Sequence, residues 1–283
     1  MFSCHIKPFI WTSTEIYQTV TLVRIVSLVP SLTKTLVDAG HRDLLIGCTP
    51  FCIDPPDLGR SMTLVGGTKD PNISLIQSLS PTHVLLNEEE NRLEDARALE
   101  EFCEIVTTFP KSPQDVLGMF DQLSERLGLE SSFEPLKKEL QAELDQIPQD
   151  PPHVGSYLYL IWKKPWMAAG PQTYIDELLR LYGLTNVLAD GDRYPALSEA
   201  QLGELRGDFI FLSSEPYPFR YRDLPDLLPL LEGDPKVFKI DGKLLSWYGS
   251  LTIEALKAMR IWTECEFKDG ELATLMRPEK VNR

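Results

Sequence analysis

Three kinds of residue in this 283-residue chain could do chemistry or grip a ligand: a run of carboxylates, a set of aromatic rings, and a few thiols and imidazoles. The carboxylates are Glu88, Glu89 and Glu90, bracketed by Asn87 and Asn91, with Glu215 standing apart. Adjacent carboxylates make either a solvated loop or a polar wall for a ligand's amides, hydroxyls or cationic groups. The rings are Phe51, Trp162, Trp166, Tyr194, Tyr217, Trp247 and Tyr248. Trp and Tyr join an apolar face to one polar tip, which suits a large ligand that is both planar and polar. Gly66-Gly67 offers a close backbone approach or a positive φ. It is not a phosphate-binding P-loop, because the G-x4-G-K-[ST] pattern is absent.

The thiols and imidazoles form no metal set. Cys4, Cys48, Cys52, Cys103 and Cys265 are scattered and odd in number, so they read as reduced, small hydrophobic residues. Cys48 and Cys52 make a lone C-x3-C with no Cys or His partner nearby, a weak basis for zinc. His5, His41, His83 and His153 are equally dispersed. Capture of a bare transition metal recruits several His or clustered carboxylates, so a ligand that brings its own chelator fits better. Neither G-x-S-x-G, H-E-x-x-H nor G-x-G-x-x-G occurs, and the chain is read as a non-enzyme with no covalent cofactor.

The elements that must position these residues follow an α/β rhythm. Strands are expected at Arg24–Val29, Leu44–Ile46, Thr63–Val65, Val84–Leu86 and Ile105–Thr107, with helices after Ser31 and over 73–79 and 92–101. Ser31 is expected to cap the first of these helices. Ser112-Pro113 opens a helix to about Gly128. A second helix opens near Ser132 and carries Phe133, Leu136, Leu140, Leu144 and Ile147 on one face, a length of about 25 Å. Pro148–Pro152 is a linker. The rhythm then restarts with strands at Leu158–Trp162, Phe209–Leu212 and Val237–Ile240 and helices over 172–182, 198–205 and 251–262. The resulting division is an N-terminal extension (1–23), an α/β lobe (24–111), a helical connector (112–150), a second α/β lobe (151–265) and a polar tail (266–283). Nearly every residue named above follows a strand, the place where open parallel sheets bind ligands. Trp166 and Trp247 are expected to line the cleft.

Composition removes several alternatives. A net charge of −14 and a pI near 4.8, with no basic stripe, argue against nucleic acid and against an anionic membrane surface. No apolar run approaches the roughly 18 residues needed to span a bilayer. The N-terminus lacks the apolar stretch of a signal peptide, so the chain as written is expected in the cytoplasm, and outside it if the natural start differs.

Taken in order, Arg24–Thr33, Asp54-Pro55-Pro56, Val65–Asn72, Trp166–Gly170, Arg193–Ser198 and Leu245–Gly249 resemble the class III periplasmic binding proteins, or helical-backbone metal receptors. These include receptors of ABC importers for vitamin B12, haem and ferric siderophores. The resemblance covers roughly 15–263 and implies two Rossmann-like lobes with mostly parallel sheets. It also implies one long backbone helix between them, and a monomer that holds a metal chelate or corrinoid in the cleft. By similarity to the B12-binding members, pocket rings fall near Phe51, Tyr194 and Trp247. The aromatic those members carry at the glycine turn is missing, and Asn87 replaces another. The docking Glu that meets the importer permease is Ser74 in the first lobe and Ala200 in the second, with Glu199 beside it. Three functions remain open here: an importer's binding protein, a cytoplasmic carrier or sensor with the same cleft, and, on fold analogy alone, an enzyme acting on such a ligand.

Overall fold

The computed structural model describes residues 22–188 and 190–269. Expectations that fall on 1–21 or 270–283, including those for Cys4 and His5, lie outside the described residues, as does the side chain of Cys265.

Short β-branched runs become strands, and the polar, periodic stretches between them become helices. The first half alternates β1 (Ile25–Ser27), α1 (Pro30–Asp38), β2 (Leu45–Cys48), α2 (Leu58–Ser61), β3 (Thr63–Leu64), α3 (Ile73–Ser78), β4 (His83–Asn87), α4 (Leu93–Glu100) and β5 (Glu104–Thr108). These strands form one parallel sheet in the order β3-β2-β1-β4-β5. The winding reverses between β1 and β4, so the crevice beyond their carboxyl ends opens between residues 28–31 and 87–91.

Two helices follow, α5 (Asp115–Arg126) and α6 (Glu134–Leu144). Ser112 Oγ accepts from the Asp115 N–H at 3.3 Å, while the Asp115 carboxylate accepts from the N–H groups of Lys111 and Ser112 at 2.9 and 3.0 Å, a reciprocal helix start. Gly128, at φ +63°, turns the chain out of α5. The connector is thus two helices, and α6, at 11 residues, is about 16 Å long rather than 25 Å.

The second half carries β6 (Gly155–Trp162), β7 (Trp166–Ala168), α7 (Tyr174–Arg180), β8 (Leu184–Asn186), β9 (Ala196–Leu197), α8 (Glu199–Glu204), β10 (Phe209–Ser213), α9 (Leu224–Leu227), β11 (Lys236–Ile240), α10 (Gly242–Ser246) and α11 (Ser250–Asp269). Its sheet runs β11-β10-β6-β7-β9, with β8 pairing the other half of β6. Strands β11, β10, β6 and β8 are parallel, and β7 and β9 are antiparallel additions. The last helix runs to Asp269, seven residues beyond the expected 262.

One expected cap is corrected. Val29 is the N-cap of α1, with no side-chain bond, and Pro30 takes the first helical position, which its fixed φ suits. Ser31 therefore lies inside the helix.

One apolar cluster is continuous across the molecule. It runs from Ile25, Leu32 and Leu36 through Phe120, Phe133 and Leu140 of the connector to Tyr157, Phe211 and Trp262. The outer sheet faces have cores of their own, around Val26, Val84 and Leu86 in the first lobe and around Leu158, Trp166 and Phe219 in the second. Among the described residues no helix is long and apolar enough to cross a membrane.

Candidate functional site

The carboxyl ends of the two sheets face one another, and charged pairs bridge them. Arg193 reaches Glu89 at 2.6 Å, and Lys243 of α10 lies 3.6 Å from Asp54. Deeper in the seam, the Ser250 N–H donates to Thr35 Oγ1 of α1 at 3.1 Å. Here Gly249, at φ +94°, sits so close to Thr35 that a side chain would collide with its hydroxyl.

The first lobe builds its wall from turns. Gly66 has φ +97°, and a Cβ there would lie 2.7 Å from the Asp70 carbonyl oxygen and 2.9 Å from the Asn72 nitrogen, so only glycine fits this turn. Phe51, 56% exposed, stands beside Gly67 at the end of β2. Asn87 is buried, and its amide is consumed within the loop. The Nδ2 group donates to the Thr108 carbonyl at 3.0 Å, and Oδ1 accepts from Glu89 N–H at 2.8 Å and Glu90 N–H at 3.3 Å. Asn91 pins the far end, accepting from Asn87 N–H at 2.8 Å and donating to the Thr68 carbonyl at 3.0 Å. Asn87 is therefore the bracket of the acidic turn. Glu88 points to solvent, whereas Glu90 is part-buried, and burial pushes its carboxyl up to about 7. Neighbouring Cys52, Glu215 and Glu89 push in the same direction, and Lys69 opposes them.

The second lobe supplies rings. Trp162 and Tyr194 are each 39% exposed, and Trp247 is half-buried. Trp162 packs edge-on to Tyr217 with centroids 5.8 Å apart, Arg193 lies 5.9 Å from the Tyr194 ring, and Lys243 lies 5.7 Å from the Trp247 ring. Glu215 follows β10, burial drives its carboxyl up to about 7, and the Trp247 side chain hydrogen-bonds it in opposition. Two expected cleft rings are corrected to core. Trp166 is 6% exposed and stacks on Phe219 at 6.2 Å, because the β6–β7 pairing shifts register and turns Trp162, not Trp166, outward. Tyr248 is also 6% exposed and packs edge-on to Tyr174, with its hydroxyl turned toward Ser31, Thr108 and Asn87 beneath the seam.

Glu89 belongs to the acidic run read from sequence, whereas Arg193, Asp54, Lys243 and Lys69 were not proposed there as site residues. The Lys69 ammonium donates to the Glu89 carbonyl at 2.5 Å. Cys48 and Cys52 are free and buried behind Phe51, with Thr33 Oγ1 3.1 Å from the Cys52 sulfur. No group of three or more His, Cys, Asp or Glu side chains is arranged to hold a metal ion among the described residues. The expected docking positions, Ser74 and Ala200, are exposed in the first turns of α3 and α8, and Glu199 is exposed beside Ala200.

A family model described as periplasmic binding protein matches residues 25–231. The periplasmic vitamin B12 binding protein BtuF of Vibrio cholerae superposes with a TM-score of 0.71 at 20% identity, over 87% of this chain and 98% of that one. A periplasmic haem binding protein from Pseudomonas aeruginosa gives 0.72 at 20% identity, over 89% and 95%. A possible iron-binding periplasmic solute-binding protein from Staphylococcus epidermidis gives 0.68 at 18% identity, over 84% and 97%. No curated protein matches the chain.

Proposed function

The chain belongs to the periplasmic binding protein family, and from that premise we propose that it is the non-catalytic substrate-binding protein of an ABC importer. Its cargo is a chelated metal or corrinoid: a cobalamin-like molecule, haem or a ferric siderophore. The observation that carries this reading is the set of half-exposed rings at the strand ends, Phe51 from one lobe and Trp162, Tyr194 and Trp247 from the other. They offer apolar faces to a planar cargo on either side of a seam edged with charge.

The test is a titration with cobalamin, cobinamide, haemin and a panel of ferric siderophores, read by quenching of Trp fluorescence with inner-filter controls. Saturable quenching by one class supports transport and names the cargo. A flat response to all of them removes this reading. A second reading, a carrier or sensor that does not dock to an importer, is favoured by Ser74 and Ala200 at the helix starts where a carboxylate is expected. Pull-down with the importer permease separates the two. Capture that is lost on Glu199→Ala supports docking through the neighbouring carboxylate.

A further inference from the structure

Resting on the reading of the cleft as a cargo site, we propose that Lys163 and Asp223 are positioning residues for the cleft ring Trp162. They act through Tyr217, and they fix the indole before cargo arrives.

The arrangement is built where the chain that leaves β10 crosses the end of β6. Trp162 ends β6, and Lys163 follows it. The crossing segment is pinned to that strand end, because the Tyr217 N–H donates to the Ile161 carbonyl at 3.2 Å. The Tyr217 ring then meets two others, edge-on to Trp162 at 5.8 Å and edge-on to Phe219 at 4.8 Å. Phe219 is itself anchored, stacked on the core ring Trp166.

Ring contacts hold position but leave tilt, and here the phenol hydroxyl removes it. Tyr217 Oη donates to Asp223 Oδ1 at 3.1 Å. The same oxygen accepts from Lys163 Nζ at 2.7 Å, and Oδ2 accepts from the Arg220 N–H at 2.8 Å. Lys163 also reaches Asp226 Oδ2 at 2.8 Å. The Lys163 and Asp223 side chains are only 9% and 6% exposed, and both are turned to partners within the protein. They are therefore placed to hold the wall rather than to touch cargo.

The contacts close a circuit. Trp162 is bonded to Lys163 through the backbone, Lys163 to Asp223 by the ion pair, Asp223 to Tyr217 by the hydroxyl, and Tyr217 returns to Trp162 by its ring edge. A closed circuit leaves less freedom than any one of its contacts. Trp162 is 39% exposed, and an indole with that much open surface has room for more than one rotamer. Holding it in one of them ahead of binding removes an ordering cost from the binding step.

The experiment uses the full chain with 15N-labelled tryptophan. The Trp162 indole N–H signal is identified by its loss in Trp162→Phe. In the wild type its heteronuclear NOE should match that of the buried Trp166. Tyr217→Phe keeps the ring and deletes only the hydroxyl, and Asp223→Asn weakens the same link. In both, the Trp162 NOE should fall while that of Trp166 stays. Ile210→Val, a mild core change in the same lobe, should move neither. Should Asp223→Asn fail to fold, Tyr217→Phe decides alone. Calorimetry with haemin and cobinamide should then show about 5-fold weaker binding of whichever probe binds the wild type, the worth of one hydrogen bond. A Trp162 signal unmoved in the variants, or moved equally by Ile210→Val, overturns the positioning role while leaving transport standing. A looser indole with unchanged affinity overturns it as well. Failure of both probes and of the siderophore panel to bind the wild type sinks the cargo reading, and this role falls with it.

Discussion

The loops that reach the cleft from the first lobe are held by amide and backbone hydrogen bonds, whereas those from the second are held by packed rings, one pair stacked and two edge-on. Asn72, Asn87 and Asn91 bracket the first set around a glycine turn. Trp166 on Phe219, Trp162 against Tyr217, and Tyr217 against Phe219 at 4.8 Å hold the second. The sheets differ in the same sense. The first is parallel throughout, with an aliphatic core around Val26, Val84 and Leu86. The second is mixed and packs Tyr157, Tyr159, Phe209 and Phe211 in its interior. Hydrogen bonds fix direction, while rings supply area. The first lobe thus presents oriented polar groups, and the second a broad apolar surface edged by cations.

Four measurements sharpen or break this contrast. The largest effect is expected from Trp166→Ala, which removes a stacked core ring and should destabilise the fold by about 3–5 kcal/mol in denaturant unfolding. A loss below about 1 kcal/mol would mean that the ring is a surface element after all. Gly66→Ala should cost about 2 kcal/mol through strain at φ +97° and collision with the Asp70 carbonyl. Amide exchange should locate that loss in the first lobe.

The third concerns pH. Glu90 and Glu215 keep their protons in the fold up to about 7, while the unfolded chain loses them near 4.5. The fold therefore binds more protons across that window, so stability should fall as pH rises from about 4.5 to 7 and then level off. E90Q or E215Q should flatten the slope, and an unchanged slope would place its origin elsewhere. The smallest stability effect is expected from Trp162→Ala, under about 0.5 kcal/mol because the ring is half-exposed, combined with weakened binding of whichever cargo quenches the wild type.

Much of the frame was legible because β-branched or aromatic apolar runs such as Ile25–Ser27 and Phe209–Ser213 separate cleanly from amphipathic stretches. Helix ends were less so. Pro30 overrode Ser31 as the start of α1, and α11 runs past the expected 262 because nothing in its sequence breaks it. The site was partly legible through strand ends. Which of Trp162 and Trp166 faces outward depends on a register shift between β6 and β7, which residue alternation does not reveal. Arg193 and Glu89 meet only because two lobes far apart in sequence are folded against each other. Local pattern carries no trace of such a pair.

Helix α11 touches more than its own lobe. It meets α6 through Lys257–Glu139 and Arg260–Glu143, and its first residue is bonded to Thr35 of α1. The halves are thus pinned at two places, the connector and the Gly249–Thr35 contact. A body held at two points keeps one rotation, about the line through them. Any opening would then turn about that line, with displacement growing with distance from it. The rim pairs Glu89–Arg193 and Asp54–Lys243 would act as latches on that door.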